Sequence, residues 1–382
     1  MNQNSVKAMR QSNIELLRIL AAFGVIVQHY NNPNIGGAIR AVIPRSPNAM
    51  ILAFLHVGMI CAVNLFILIS GYFMRDTKKR DLLKPVKLLS MLIVFELLFY
   101  IIQVPLQGIP FSFSTLMQYY LPNYWFIIVY IALYLISPFI NMIWNNLSKR
   151  NRKILLGLSL GLFSVYPIIT EMIGVVIGTD LRGTSTVGLD GSESGYTIVN
   201  FVLMYLIGCA LRDHDDDPEH KDMKPVSVVL LLFLNISVLM VWMIIEKSRI
   251  ITDPTILSIP YRYQNPLVIS EAVLYFLLFK QIKIKNSKVI NSLASAAFPS
   301  YLIHINLFRY CGIEQAVNNP PAKLLAHVLG CAAGIYLISW AVYMLYNLIT
   351  GPLFRFISRK WQKKRIYVVE LPEINRTQPV ES

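Results

Sequence analysis

The chain has 382 residues, of which 55% are hydrophobic and 15% are charged. Its mean hydropathy is +0.52, whereas soluble domains carry about 25% charged residues. This composition excludes an ordinary soluble protein and predicts an integral membrane protein. The net charge of +14 would also suit a nucleic-acid-binding protein, but the distribution of the basic residues along the chain favours another explanation.

Apolar segments long enough to cross a bilayer, about 20 residues each, recur along the whole chain. They predict an all-α, polytopic membrane protein with about ten transmembrane helices. The predicted segments are 13–30, 51–74, 86–104, 122–143, 154–178, 197–211, 225–245, 265–282, 295–313 and 324–349. They divide the chain into an N-terminal region at 1–12, a transmembrane domain at 13–349 and a basic, then polar tail at 350–382.

The Lys and Arg residues are concentrated in alternate connecting segments. If the N-terminus is cytoplasmic, the cytoplasmic set carries 26 of the 35 Lys and Arg residues, the opposite set carries eight, and Arg18 lies within the membrane. The positive-inside rule then predicts that both termini are cytoplasmic. Because topology accounts for the basic charge, we expect no nucleic-acid partner.

The four cysteines lie in apolar segments, with no metal-ligand spacing and no disulfide framework. We therefore expect them to pack as small apolar residues, and we expect neither a bound metal nor a bound cofactor. No small-residue cleavage site follows the first apolar segment, so we expect that segment to remain as a helix.

Two ionisable residues, Arg18 and His29, lie eleven positions apart in the first apolar segment. Eleven residues bring a helix back to nearly the same face, about 16 Å along its axis. Ionisable residues within a membrane helix are costly and are usually functional. The alternatives are an interfacial His29 that reaches water, and an Arg18 that reaches the inner interface or pairs with Glu15.

The second segment contains Asn64, a buried polar group that needs a partner, and ends with Ser70, Gly71 and Arg75. Gly71 allows close approach of a ligand or of another helix. Arg75 begins a basic run that suits a phosphate-bearing ligand at the cytoplasmic face. Equally, Arg75 is explained as a positive-inside anchor.

Later segments contain further polar and aromatic candidates. Trp125 and Tyr130 belong to an aromatic stretch typical of an interfacial belt. Glu271 is a candidate acid or a partner for a buried Arg. Tyr301 and His304 are three positions apart and so share a helix face. Two other intramembrane acids, Glu96 and Glu171, have no partner that can be inferred from the pattern.

Several of these segments, taken in their order along the chain, resemble the motifs of the acyltransferase-3 family of integral membrane acyltransferases. Arg18 and His29 are similar to its signature of a basic residue followed by histidine. Similar motifs follow at 64–73, 124–130, 135–138, 205–208 and 300–304. The matches span about residues 13–310, and without a fused extracytoplasmic hydrolase-like domain the chain resembles the stand-alone form.

The resemblance implies transfer of an acyl group, often acetyl, from cytoplasmic acyl-CoA to a hydroxyl of a surface polysaccharide or lipid-linked glycan. It also implies a bacterial cytoplasmic membrane location. His29 would inherit the catalytic role and Arg18 a supporting one, while Ser70, Gly71 and Arg75 would line or approach the donor site. Because about 16 Å separates Arg18 from His29, we expect Arg18 to bind the donor phosphates and His29 to act as the base near the acceptor.

Two other classes of function fit the composition. One is a transporter or flippase with a path of intramembrane Arg, His and Glu residues. The absence of a convincing internal repeat weakly disfavours it. The other is a structural or sensing membrane protein whose polar residues only satisfy each other. The ordered motifs favour the enzyme.

Overall fold

The computed structural model describes residues 10–108, 112–120, 124–219, 221–249, 259–361 and 366–369. Nearly all of the regular structure in these ranges is α-helical. The first half contains α1 (Ser12–Asn31), α2 (Ala38–Ala41), α3 (Pro47–Val57), α4 (Ala62–Met74), α5 (Leu83–Gln107), α6 (Phe113–Tyr120), α7 (Trp125–Asn146) and α8 (Lys149–Leu160). The second half contains α9 (Tyr166–Ile177), α10 (Ile198–Asp215), α11 (Pro225–Arg249), α12 (Pro266–Gln281), α13 (Lys288–Leu293), α14 (Ala297–Leu307), α15 (Ile313–Ala316) and α16 (Pro321–Lys360).

Six helical stretches in the described ranges are long and apolar enough to cross a membrane. They are Pro47–Met74, Leu83–Val104, Trp125–Asn146, Lys149–Ile177, Pro225–Glu246 and Pro321–Lys360. The protein is therefore a multi-pass, nearly all-α membrane protein. The finer prediction of about ten spans with cytoplasmic termini is not confirmed, and residues 1–9, 362–365 and 370–382 of the two terminal regions lie outside the described residues.

The other four predicted segments form α1, α10, α12 and α14, which are shorter or more polar than the six. They pack against α4 and against each other: α4 contacts α1, α10 and α12, and α1 contacts α12 and α14. A helix enclosed by other helices has less need of an apolar surface on every side. The more polar helices therefore lie in the middle of the bundle.

Two predicted segments differ from single straight helices. The segment 51–74 divides into α3 and α4, and the Gln28 side chain donates a hydrogen bond to the Met59 carbonyl inside the break. The segment 154–178 contains a π-helical turn at Gly161–Val165 between α8 and α9. Hydropathy reports length and polarity but does not register such interruptions.

The end of the chain is tied to the connection between α4 and α5. Strand β1 (Lys79–Asp81) pairs antiparallel with β2 (Ile366–Val368), with Arg80 opposite Tyr367. Arg80 is buried and donates hydrogen bonds to the Ser137 hydroxyl at 2.6 and 2.8 Å. Helix α16 also continues to Lys360, beyond the predicted end at 349, despite Pro352.

Candidate functional site

The structure brings His29 of α1 against His304 of α14, although 275 positions separate them in the sequence. Their rings are stacked, with centroids 4.6 Å apart and planes 17° from parallel. Nδ1 of His29 is hydrogen-bonded to Nε2 of His304. His304 is fully buried, whereas His29 is only partly buried. The pair therefore has one enclosed ring and one ring that remains accessible.

Hydrogen bonding around this pair assigns the protons. Nδ1 of His304 lies 2.9 Å from the Ser300 carbonyl oxygen, which can only accept, so this nitrogen carries the hydrogen. In the neutral ring Nε2 of His304 must then accept a hydrogen bond, and Nδ1 of His29 donates it. The assignment leaves Nε2 of His29 with an unshared electron pair, which is the form of imidazole that acts as a base.

A cleft of about 310 Å³ runs along the same face of α1. Four of the predicted site residues line it: Arg18, Ser70, Tyr130 and Tyr301. At one end the cleft reaches Val25 and Ser300. Val25 lies one helical turn before His29, and Ser300 lies one helical turn before His304. Its volume falls within the range of small-molecule sites. The cleft thus leads along α1 towards the two histidines.

The other end of the cleft is basic. Arg10, Arg18 and Lys84 line it, and Glu15 is the one acidic residue among the lining side chains. Arg18 and Glu15 are 3.7 Å apart, and the Arg18 side chain is 39% exposed. An ion pair at this distance, with an exposed Arg18 side chain, is weak, so the guanidinium remains available to a ligand. The alternative in which Arg18 pairs with Glu15 is seen as a contact, but the pair does not remove Arg18 from the cleft.

The sequence pattern does not single out Arg10 or Lys84 as site residues, because both belong to the basic residues that the positive-inside rule already explains. Nζ of Lys84 lies 3.5 Å from the Tyr130 hydroxyl and 4.5 Å from the centre of the Tyr134 ring. Lys84 therefore borders the cleft beside a predicted site residue. Its position at the start of α5, next to a basic loop, concealed this role.

Gly71 lies outside the cleft, at the crossing of α4 with α10. A Cβ at Gly71 would lie 2.1 Å from the Tyr205 carbonyl oxygen, and a Cβ at Gly208 would lie 2.2 Å from that of Leu68. The helix-packing alternative therefore describes Gly71. Asn64 does not line the cleft either: it donates to the Tyr263 carbonyl at 2.8 Å, and its side-chain oxygen accepts from Asn200.

Arg75 does not line the cleft either. Its guanidinium is paired with Asp213 at 2.6 Å and with Asp216 at 2.9 Å. Asp213 also pairs with Arg152, at 2.7 Å. Arg75 thus joins α4 to the acidic end of α10, and its positive charge is already neutralised there.

Trp125, at the start of α7, stacks on Tyr196 at 4.6 Å between ring centroids and does not itself line the cleft. Tyr301 lines the cleft, and its ring lies 6.0 Å from that of His304, so the predicted shared face is confirmed.

The three intramembrane acids have different surroundings. Glu96 accepts a hydrogen bond from the Tyr124 hydroxyl at 2.6 Å, and Glu171 pairs with Arg262 at 2.8 Å. Glu271 is fully buried against the Cys61 thiol and forms no salt bridge with a cation among the described residues. Of the two alternatives for Glu271, a buried Arg partner is not present among the described residues, and as a candidate acid Glu271 does not line the cleft.

No group of three or more His, Cys, Asp or Glu side chains in the described part of the chain is arranged to hold a metal ion. The polar side chains that line the cleft carry guanidinium, ammonium, carboxyl and hydroxyl groups.

The family model of the acyltransferase domain matches residues 11–344. That range includes α1, both histidines and every residue that lines the cleft except Arg10. The chain belongs to the acyltransferase-3 family. No curated protein and no solved structure matches the chain. Membership of the acyltransferase-3 family, together with the apolar helices, makes this protein a membrane acyltransferase.

Proposed function

We propose that the protein transfers an acyl group, acetyl in the simplest case, from acyl-CoA to a hydroxyl of a cell-surface polysaccharide or lipid-linked glycan. The observation that carries this proposal is the cleft along α1, which has basic residues at one end and the His29–His304 pair beyond the other. A donor with phosphates and a long arm ending in a thioester matches that arrangement.

The basic end of the cleft is the proposed donor entrance. Phosphate groups are bound by guanidinium and ammonium groups, and Arg10, Arg18 and Lys84 supply three of them. Ser70 and Tyr130 line the wall along which the arm would extend. Gly71 is not part of this donor site because it lies at a helix crossing. Arg75 is not part of it because its guanidinium is paired with Asp213 and Asp216.

His29 is the proposed general base. Its Nε2 takes the proton from the acceptor hydroxyl as the oxygen attacks the thioester carbonyl carbon. A tetrahedral intermediate forms, its carbon–sulfur bond breaks, and the ester is released. The proton held by His29 then passes to the departing thiolate of CoA, so the enzyme returns to its starting state. His304 acts as a positioning residue, since it holds the Nδ1 proton of His29 and thereby the tautomer.

We propose further that the chain crosses the membrane about ten times, with both termini in the cytoplasm. All ten predicted segments are helical over most of their length. The cleft entrance is formed by Arg10, Lys84 and Ser295, which adjoin segments that the distribution of charge assigns to the cytoplasm. This topology gives cytoplasmic acyl-CoA direct access to the cleft and places His29 towards the opposite surface.

The test is transfer of label from acetyl-CoA in membranes that contain the full-length chain. The acceptor is the cell-envelope glycan fraction from cells that lack the gene. We expect acyl label in the glycan with the wild-type protein and none with His29→Ala. The matched control is His214→Ala, which removes an exposed histidine that does not line the cleft and should retain transfer.

Transfer by His29→Ala at the wild-type rate, with normal membrane insertion, would rule out His29 as the base. Movement of unmodified glycan or solute across the membrane, without acyl label, would instead support the transporter class of function. Neither transfer nor movement would support a structural or sensing role.

A further inference from the structure

A second groove lies between α5 and α16, separate from the cleft. Its volume is about 240 Å³, and its polar lining includes Lys87 of α5 and Arg355 of α16. Met91, Tyr346 and Phe354 form much of its apolar lining. The groove shares only Tyr343 with the lining of the cleft.

The two cations in this groove have no carboxylate partner among the residues that the structure describes. Neither Lys87 nor Arg355 forms a salt bridge in the described part of the chain, and both are exposed. Nζ of Lys87 lies 5.3 Å from the centre of the Phe354 ring, so the ammonium is held over an apolar surface. The side chain of Arg355 turns back along its helix: Nη1 lies 3.5 Å from the position that a Cβ of Gly351 would occupy. The two unneutralised charges therefore border one opening.

The depth of the groove in the membrane follows from the proposed topology. Lys87 is one turn from the start of α5, and Arg355 is within two turns of the end of α16. Both helix ends adjoin basic segments that the positive-inside rule assigns to the cytoplasm. The cations thus lie at the level of the cytoplasmic head groups.

Around the groove, the surface is apolar and faces outwards. The exposed residues on these stretches of α5 and α16 are Val86 at 52%, Leu348 at 74%, Ile349 at 67%, Leu353 at 56% and Phe356 at 62%. Acyl chains would cover such a surface in a bilayer. A soluble anion would gain nothing from it, whereas an amphiphile would use both the cations and the apolar sides.

We propose that this groove binds the head group of an anionic phospholipid of the cytoplasmic leaflet. Lys87 and Arg355 would contact the phosphate, and the acyl chains would lie along the apolar residues of α5 and α16. Basic pockets between transmembrane helices on the cytoplasmic side are suited to such head groups. The inference does not depend on the acyltransferase reaction, because none of its contacts involves the two histidines.

The test compares binding of fluorescent phosphatidylglycerol and phosphatidylcholine to the purified full-length chain in detergent micelles. We expect the wild type to prefer phosphatidylglycerol. Each of Lys87→Gln and Arg355→Gln should reduce that preference about fivefold, and the double variant about 25-fold. The control pair, Arg150→Gln with Lys153→Gln, removes the same charge from exposed positions on α8 and should leave the preference unchanged.

Four results would overturn the proposal. The first is an unchanged preference for phosphatidylglycerol in the Lys87→Gln and Arg355→Gln variants. The second is an equal loss of that preference in the control pair. A third is competition by inorganic phosphate at the same molar concentration, which would indicate a site for soluble anions. The fourth is displacement of phosphatidylglycerol by CoA, which would assign the groove to the donor. If the double variant does not fold, the exchange of Lys87→Arg with Arg355→Lys provides a further measurement, since it should retain the preference.

Discussion

His304 and Arg18 have different tasks in the proposed reaction, and the difference follows from their positions. His304 contacts the base itself, whereas Arg18 lies eleven residues before His29 on α1, about 16 Å away along the axis. A change at His304 should affect the chemical step. A change at Arg18 should affect the binding of the donor.

Replacing His304 with Ala should lower kcat by on the order of 10²-fold while leaving the KM for acyl-CoA nearly unchanged. The variant removes the acceptor that holds the Nδ1 proton of His29, so the ring loses its preferred tautomer and orientation. His304→Gln should recover part of the loss, because an amide oxygen can accept the same hydrogen bond. Steady-state kinetics of the three proteins measure the effect. A large rise in KM, with no rescue by Gln, would indicate a general disturbance of α14 instead.

Replacing Arg18 with Gln should raise the KM for acyl-CoA about tenfold, with a smaller effect on kcat, because a charge-assisted contact with the donor is lost. Arg309→Gln, an exposed change outside the cleft, is the control and should have wild-type kinetics. An unchanged KM in Arg18→Gln would contradict the donor-binding role.

Residue patterns along one helix were predictable, and contacts between distant helices were not. The shared face of Arg18 and His29 follows from helix geometry. The stacking of His29 on His304 depends on how α1 packs against α14, and no local pattern contains that information. Lys84 was concealed for a related reason: its charge was already explained by topology.

At the scale of elements, the crossing of α4 with α10 requires glycine on both helices. Gly71→Ala and Gly208→Ala should each lower the melting temperature, because the new methyl group would meet backbone atoms that cannot move independently. We expect each change to cost about 1–3 kcal/mol in the free energy of unfolding. Thermal unfolding of the purified protein measures this.

The control for the glycine variants is Gly330→Ala in α16, where a Cβ would meet no atom within 4 Å. Alanine has a higher helix propensity than glycine, so this variant should be as stable as the wild type or slightly more stable. Equal destabilisation at all three positions would show that close packing is not the reason for glycine at the crossing.

Helices were more predictable than their interruptions. Each predicted apolar segment coincides with helix, because long apolar runs of this kind have few alternatives in a membrane. The break between α3 and α4 was not predicted, since the sequence there remains apolar while Gln28 from α1 satisfies the Met59 carbonyl. The pairing of β1 with β2 joins residues far apart in the sequence and was likewise missed.

For the whole molecule, the family and the membrane location were predictable from ordered motifs and composition. The family match over residues 11–344 confirms the first. The number of spans is harder to establish from hydropathy because α1, α10, α12 and α14 lie among other helices and carry the polar residues. Two of these helices, α1 and α14, carry the histidine pair and line the cleft, so residues that support a function also weaken the hydropathy signal.

The central claim is that acyl-CoA enters the cleft from the cytoplasm and that His29 acts beyond its far end. Oriented membrane vesicles test it directly, with labelled acetyl-CoA added outside and the envelope glycan fraction enclosed in the vesicle lumen as acceptor. We predict transfer in inside-out vesicles, where the cleft entrance faces the added donor, and none in sealed right-side-out vesicles or with His29→Ala. Transfer in sealed right-side-out vesicles, or full activity of His29→Ala, would contradict the account.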